Sequence, residues 1–389
     1  MGSTGGGQGG GGGTSCLTCT SAGKNCGTIS DGCGATLDCG TCMSPSKCGW
    51  GNPAVPNVCG VGSCTPETDR AFCERLGKNC GPVIDWDNCD NSRSVASCGT
   101  CVDPQTCGGS TPNVCGLERK WRIVPFNGPG LNSVWGSARN DVWAVGTGGT
   151  IIHFNGTAWS TQPSPTTGDL WVVKGDSPTR VKIGSSDGLL ERSGSGWSYN
   201  TLGAGMEWRD LALLNDEVWG VGSLSSQGAV IIRLSSAGRQ AWGSPYQNAI
   251  WVNSAQEIRV FGWSVARWNG TDWVPEFSPS GTPTLSDAWG ATANDAWAVG
   301  DGLFHWQGTS WVEVTKPVSR LLLSVWGSST SDVWAVGEYG TIVHWNGSKW
   351  TWEDSPTSGT LRAVWGSSAD DVWAVGDSGG NAVLLHYPY

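Results

Sequence analysis

The stretch SVWGSSTSDVWAVG (residues 324–337) recurs almost word for word as SVWGSARNDVWAVG at 133–146 and as AVWGSSADDVWAVG at 363–376. A phrase repeated at a fixed period is one supersecondary unit used many times, and its period points to the architecture. Aligned on the first tryptophan of the phrase, the repeats start at Trp135, Trp171, Leu211, Trp251, Trp289, Trp326 and Trp365, at intervals of 36, 40, 40, 38, 37 and 39 residues. A period of about 40 residues with strand-like content is the length of one four-stranded propeller blade.

In the sixth repeat, LLSVWG, DVWAVG, TIVHWNG and KWTWED read as four strands running outwards from the centre. They are short, rich in β-branched and aromatic residues, and separated by glycine-rich turns. Asn155-Gly156, Asn269-Gly270 and Asn346-Gly347 join third to fourth strands. That dipeptide predicts tight hairpins with two positive φ angles. The outermost strands carry Trp159, Trp197, Trp242, Trp273, Trp311 and Trp350, six tryptophans for seven repeats. The last repeat ends in NAVLLHYPY, a third strand, while KWRIVPF at 120–126 places Trp121 where the missing fourth strand should be. The expected fold is therefore all-β: a seven-bladed propeller over residues 117–389, closed by pairing of 120–126 with 382–387. Closure removes sheet edges that would otherwise pair with other chains. Burial of one tryptophan, about 150–250 Å², contributes about 4–6 kcal/mol at ~25 cal/mol/Å² before entropy is subtracted, which explains the 26 tryptophans.

All 16 cysteines precede this segment. Residues 16–60 hold Cys16, Cys19, Cys26, Cys33, Cys39, Cys42, Cys48 and Cys59; residues 61–116 hold Cys64, Cys73, Cys80, Cys89, Cys98, Cys101, Cys107 and Cys115. Shared phrasing (GKNCG, CGTC, PNVCG) marks two copies of one module. Even counts favour disulfides inside each copy, and eight cysteines allow 105 connectivities. Cys16-x2-Cys19 and Cys39-x2-Cys42 have zinc-ribbon spacing. The second copy keeps only Cys98-x2-Cys101, and a metal required by the fold should survive in both, so no metal is expected. Disulfides persist in oxidising compartments, which predicts an extracellular or outer-surface protein. The opening MGSTGGGQGGGGGT has no apolar signal core. Residues 1–15 read as a flexible tether of a kind that suits a lipid-anchored surface protein. No apolar run approaches the roughly 18 residues of a membrane helix, and a net charge of −10 argues against nucleic acid as a partner.

His153, His305, His344 and His386 share one position on the third strand. With strands about 4.8 Å apart, neighbouring copies lie roughly 13 Å from each other, too far to share a metal. A repeated structural hydrogen bond is expected instead, with Arg233 and Arg267 in the same place in blades 3 and 4. Asp141, Glu217, Glu257, Asp295, Asp332 and Asp371 precede the second tryptophan position by two residues, with Thr179 in blade 2. They read as turn carboxylates capping backbone amides. No nucleophile elbow, phosphate loop or zinc-binding histidine pair is present, so neither catalytic residues nor a cofactor is expected. The connections between blades, and from second to third strand, vary far more than the other turns. Function on a rigid scaffold sits on such loops. The aromatic candidates there are Tyr246, Trp263 and Tyr339.

The phrase VWGSSxxDVWAVGxxGTIxHWNGxxW resembles the tryptophan-rich propeller repeats of secreted and surface proteins of Gram-negative soil bacteria. More loosely it is similar to tectonin lectin repeats and to Asp-box propellers, although the Asp-box pattern Ser-x-Asp-x-Gly-x-Thr-Trp is not matched. Tectonin-like repeats imply glycan binding; no catalytic residue carries over. The expected function is a binding protein for a glycan or a surface protein, with polysaccharide foremost. The alternatives are a protein-interaction or adhesive scaffold, and an extracellular hydrolase or lyase should acidic residues of the variable face converge within about 5–9 Å. Thiol reduction should unfold the first 116 residues and leave the cysteine-free remainder folded; parallel loss of tryptophan fluorescence structure in both parts would contradict this division.

Overall fold

The computed structural model describes residues 16–43, 46–49, 55–61, 65–89, 91–102, 105–116, 119–194, 196–281 and 284–388. The tether and Cys64 lie outside the described residues. The chain divides into two compact units, Met1–Glu118 and Arg119–Tyr389.

In the first unit the disulfides stay within each module. They join Cys16–Cys33, Cys19–Cys39, Cys26–Cys48 and Cys42–Cys59. The second module repeats this order in Cys73–Cys98, Cys80–Cys107 and Cys101–Cys115, and Cys89 is disulfide-bonded as well. Each Cys-x2-Cys pair of the first module sends its two sulfurs into different disulfides, which uses up the thiolates a zinc ribbon needs. Phe72, Cys73, Val83 and Val95 form the small buried cluster of the second module. With so little apolar burial, the covalent bridges supply the order.

The second unit is seven four-stranded antiparallel sheets. Blade 1 consists of Leu131–Ala138, Asp141–Gly146, Ile151–Phe154 and Trp159–Thr161, from inner to outer strand. The other inner strands are Leu170–Ser177, Met206–Leu214, Gln247–Ser254, Leu285–Thr292, Leu322–Ser329 and Thr360–Ser368. Blade 7 borrows its outer strand: Arg122–Ile123 pairs with Asn381–Tyr387, Ile123 opposite Leu385, and the Val124 N–H donates to the Leu384 carbonyl at 2.8 Å. Trp121 is buried against Trp334 and Tyr387, with ring centroids 5.4 and 5.5 Å away. The ring closes as the sequence predicts.

Strand pairing aligns LNSVWG (131–136) with LWVVKG (170–175), WRDLAL (208–213), QNAIWV (247–252), LSDAWG (285–290), LLSVWG (322–327) and LRAVWG (361–366). The fifth residue of one blade rests on the sixth of the next. Trp135, Trp251, Trp289, Trp326 and Trp365 cover Gly175, Gly290, Gly327, Gly366 and Gly136, where an added Cβ would lie 2.4–2.6 Å from the indole. The two exceptions match each other: Lys174 precedes Leu213 and Ala212 precedes Val252. In four blades the third residue ties the blade to the next by a hydrogen bond. Ser133 accepts from the Val173 N–H (3.1 Å), Asp210 from Ile250 (2.9 Å), Asp287 from Val325 (2.9 Å) and Ser324 from Val364 (3.2 Å).

This register corrects the alignment on tryptophans. The counterpart of Trp135 in blade 2 is Lys174, not Trp171, and in blade 3 it is Ala212, not Leu211. Likewise the turn-carboxylate position of blade 2 belongs to Arg180, not Thr179. A tryptophan three places early misled the alignment because blade 2 has no indole at the packing site.

On the second strand, Trp143, Trp297, Trp334 and Trp373 stack on His153, His305, His344 and His386, with centroids 3.9–4.1 Å apart. Each imidazole Nε2 meets the carboxylate that precedes its tryptophan: Asp141 at 2.7, Asp295 at 3.4, Asp332 at 2.6 and Asp371 at 2.7 Å. The histidines are thus structural, as expected. The carboxylates depart from the expectation, because they bind side chains rather than backbone amides: the histidine, the hydroxyl of Ser137, Ser328 or Ser367, and in blade 1 the Trp143 indole. Burial raises the Asp332 carboxyl, but hydrogen bonds from His344 and Ser328 outweigh it and hold it below its ordinary range. Blade 3 substitutes Glu217, Trp219 and Arg233. In blade 4, Arg267 lies 3.6 Å from Glu276, and Arg259 replaces the indole and bridges Glu257 and Glu276. Each second-strand indole also meets an outer-strand tryptophan of the next blade edge-on, as in Trp143–Trp197 and Trp297–Trp350.

The Asn-Gly hairpins are four-residue loops. Only Gly156, Gly270 and Gly347 take positive φ (91°, 102° and 89°), while each asparagine oxygen accepts from the amides two and three residues on. An Asx turn replaces the expected pair of positive φ angles.

The tryptophan–glycine contact predicts a compensation. Trp289→Ala should cost about 3–5 kcal/mol, and Gly327→Val should destabilise by driving a side chain into the indole. The double variant recreates the Ala212–Val252 pair and should recover at least ~1 kcal/mol relative to the summed effects in urea unfolding. Strict additivity would show that the two positions do not touch in solution.

Candidate functional site

The inner strands begin on the face that carries the variable connections. There the second residue of each motif rings the mouth of the central channel: Asn132, Trp171, Arg209, Asn248, Ser286, Leu323 and Arg362 line one cavity of about 500 Å³, together with Glu207 and Trp208. The fourth motif residue is aliphatic in every blade, and the fifth and sixth obey the packing rule. The second varies among Asn, Trp, Arg, Ser and Leu. A variable position repeated sevenfold around one cavity is a candidate for contact with a ligand.

Several of these groups are held in place. Asn132 and Asn248 donate to the Leu170 and Leu285 carbonyls of the following blades, both at 2.9 Å. Arg362 donates to Asp377 at 2.7 Å, and Glu207 accepts from Ser223 at 3.1 Å. Trp171 is half-buried and its indole nitrogen has no partner. The Arg209 guanidinium lies 4.3 Å from the centre of the Tyr246 ring, which stacks on Trp263 at 5.8 Å. Two of the three aromatic residues singled out in the sequence therefore meet, and form a shelf beside the mouth; Trp263 is 57% exposed. Tyr339 is not part of it. It stands at the tip of the Glu338–Gly340 turn of blade 6, at φ +54°, a conformation that blade 1 fills with Gly148, and Arg320 lies 4.4 Å from its ring.

Below the mouth, a chamber of about 290 Å³ contains Lys174, Asp210 and Asp287. Burial, with repulsion from Asp287 added, pushes the Asp210 carboxyl up to about 6 against the pull of Lys174. Asp287 is raised for the same reason, burial first. Both carboxylates accept backbone N–H groups, Asp210 from Leu211 and Ile250, Asp287 from Ala288 and Val325. That commits them to joining blades rather than to acid–base work.

The seven mouth residues escaped the sequence reading. Their signal is the second column of the aligned motifs, visible only after blades 2 and 3 are placed in register.

Fold and cavity define a β-propeller scaffold, an architecture typical of binding and interaction platforms. Solved structures similar to it include YCF48 bound to D1 peptide, at 16% identity and a TM-score of 0.56, covering 69% of this chain and 97% of that one. YCF48 from Cyanidioschyzon merolae matches at 16% identity and 0.54 (69% and 98% covered), and the WD40 β-propeller domain of Doa1 at 12% and 0.57 (68% and 96%). At these identities the likeness is one of fold. No family model matches the sequence, and neither does any curated protein.

The chamber makes a pH prediction. Asp210 binds its proton more tightly folded (about 6) than unfolded (3.8), so its ionisation opposes folding, and its contribution improves as pH falls from 7 to 4. Relative to Asp210→Asn, which cannot ionise, the wild type should gain on the order of 2–3 kcal/mol across that window. Chemical denaturation at several pH values checks this; a pH-independent difference would rule it out.

Proposed function

We propose that this chain is an extracellular or cell-surface recognition protein whose propeller takes a segment of polysaccharide at the mouth of its channel. The observation that carries this reading is the ring of seven side chains of five kinds around one cavity. Its Asn, Ser and Arg groups supply donors and acceptors for hydroxyls, and Trp171 with the Tyr246–Trp263 shelf supplies apolar faces for sugar rings. The disulfide-bonded first unit supports an oxidising environment. No helix among the described residues is long and apolar enough to cross a membrane.

A protein segment is the second reading, favoured by the likeness to a propeller solved with a peptide and by a cavity roomy enough for a few residues. A panel of soluble polysaccharides and unstructured peptides should separate the two. Glycan binding is expected, weakened at least tenfold by Trp171→Ala and by Arg209→Ala with little change in melting temperature. Peptide binding lost in the same variants would install the interaction scaffold instead, and glycan binding indifferent to both would move the site away from the mouth.

A further inference from the structure

Blade 4 breaks a rule the other blades keep. The first residue of the inner-strand motif is leucine in five blades and Trp208 in blade 3, each fully buried. In blade 4 it is Gln247, only 3% exposed, and among the described residues neither its amide nitrogen nor its oxygen has a hydrogen-bond partner. Folded proteins rarely leave a buried carboxamide wholly unpaired. The unpaired indole nitrogens of Trp121, Trp159, Trp273 and Trp350 are a different matter. Each of these rings stands at 78–84° to a second-strand tryptophan of the neighbouring blade, a packing that suits N–H···π contact. Nothing in the repeat absorbs Gln247 in this way.

Gln247 lines a pocket of about 460 Å³ between the outer strands of blades 3 and 4, with Trp242, Trp273, Ser244, Ser264 and Asp272. At three other blade junctions, apolar side chains at the end of the outer strand or just past it pack against the core: Val124 and Phe126, Phe277, and Val314 and Val318. The connection from blade 3 to blade 4 offers Gly243, Ser244 and Pro245 to the pocket instead, and nothing lies within 4 Å of a Cβ placed on Gly243. The same junction thus combines a buried polar group with open space beside Gly243.

We propose that this pocket binds the acetamido group of an N-acetylated amino sugar. A carboxamide presents one donor and one acceptor in a plane, the complement of a secondary amide's C=O and N–H. Trp242 and Trp273 give the acetyl methyl an apolar wall, and the Ser244 and Ser264 hydroxyls with the Asp272 carboxylate meet ring hydroxyls. The inference rests on the glycan reading but at a site distinct from the channel mouth.

The test compares tri-N-acetylglucosamine with cellotriose, which has the same linkage and lacks the acetamido groups, by calorimetry on the full chain. The wild type should bind the acetylated trimer at least tenfold more tightly. Gln247→Leu installs the residue of five other blades, so its melting temperature should hold or rise while the preference disappears; Trp171→Ala should leave the preference intact. Equal binding of the two sugars, a preference that survives in Gln247→Leu, or displacement of the trimer by an N-acetylated dipeptide amide that binds more tightly would each overturn the proposal. So would a ligand-soaked crystal with only ordered water on the Gln247 amide. Loss of polysaccharide binding in Trp171→Ala with no effect of Gln247→Leu would sink this site and spare the mouth; no glycan binding at all would sink both.

Discussion

An indole laid flat on a glycine of the next blade is the contact on which the ring depends. No strand pairing joins one blade to the next, so the spacing at the centre is set by whatever fills the gap between inner strands. A tryptophan over a bare backbone fixes that spacing at five of seven junctions. It demands glycine on one side and indole on the other, and that demand is what the repeated VWG phrase encodes. The two remaining junctions show that volume, not tryptophan as such, is what must be kept. Where the indole is replaced by Lys174 or Ala212, the glycine opposite becomes Leu213 or Val252.

Giving up the rule has consequences along the channel. Lys174 brings an ammonium into a chamber that holds Asp210 and Asp287, whose carboxylates already join blade 3 to blade 4 and blade 5 to blade 6. The resulting group of one cation and two buried carboxylates is expensive to desolvate and is kept affordable by backbone N–H donors, with Asp210 shifted to about 6 as the residual strain. Trp171, at the second motif position of the same strand, stands at the mouth among the seven variable residues.

Blade count, strand order and closure were legible because each follows from spacing and from a missing Trp-bearing strand. The structural role of the histidines was legible because a ring keeps equivalent positions apart. Their partners were not: whether Asp141 caps an amide or holds His153 depends on the side-chain angle, which spacing does not encode. The register of blades 2 and 3 was lost because tryptophan was used as the marker where lysine and alanine do the packing. Tyr246 and Trp263 were found as exposed aromatics, but their contact runs through the hairpin of blade 4 and the start of its inner strand, more than a dozen residues apart. Gln247 was passed over because a single polar residue means nothing until its six counterparts are known to be apolar and buried. Disulfide order was out of reach for the combinatorial reason alone.

The distribution of these departures around the ring has a mechanical logic. The seam is short: Arg122–Ile123 pairs with blade 7 at two residues, and the Val124 N–H adds one further bond. Blades 5, 6, 7 and 1, which flank the seam, all keep the full set of inner tryptophan, second-strand tryptophan, histidine and carboxylate. Trp121 itself is locked between Trp334 of blade 6 and Tyr387 of blade 7. The full packing set is therefore kept in the blades next to the seam. Blades 2 to 4 lie away from the seam, and there the ring tolerates a lysine for a tryptophan, an arginine for an indole and a glutamine for a leucine.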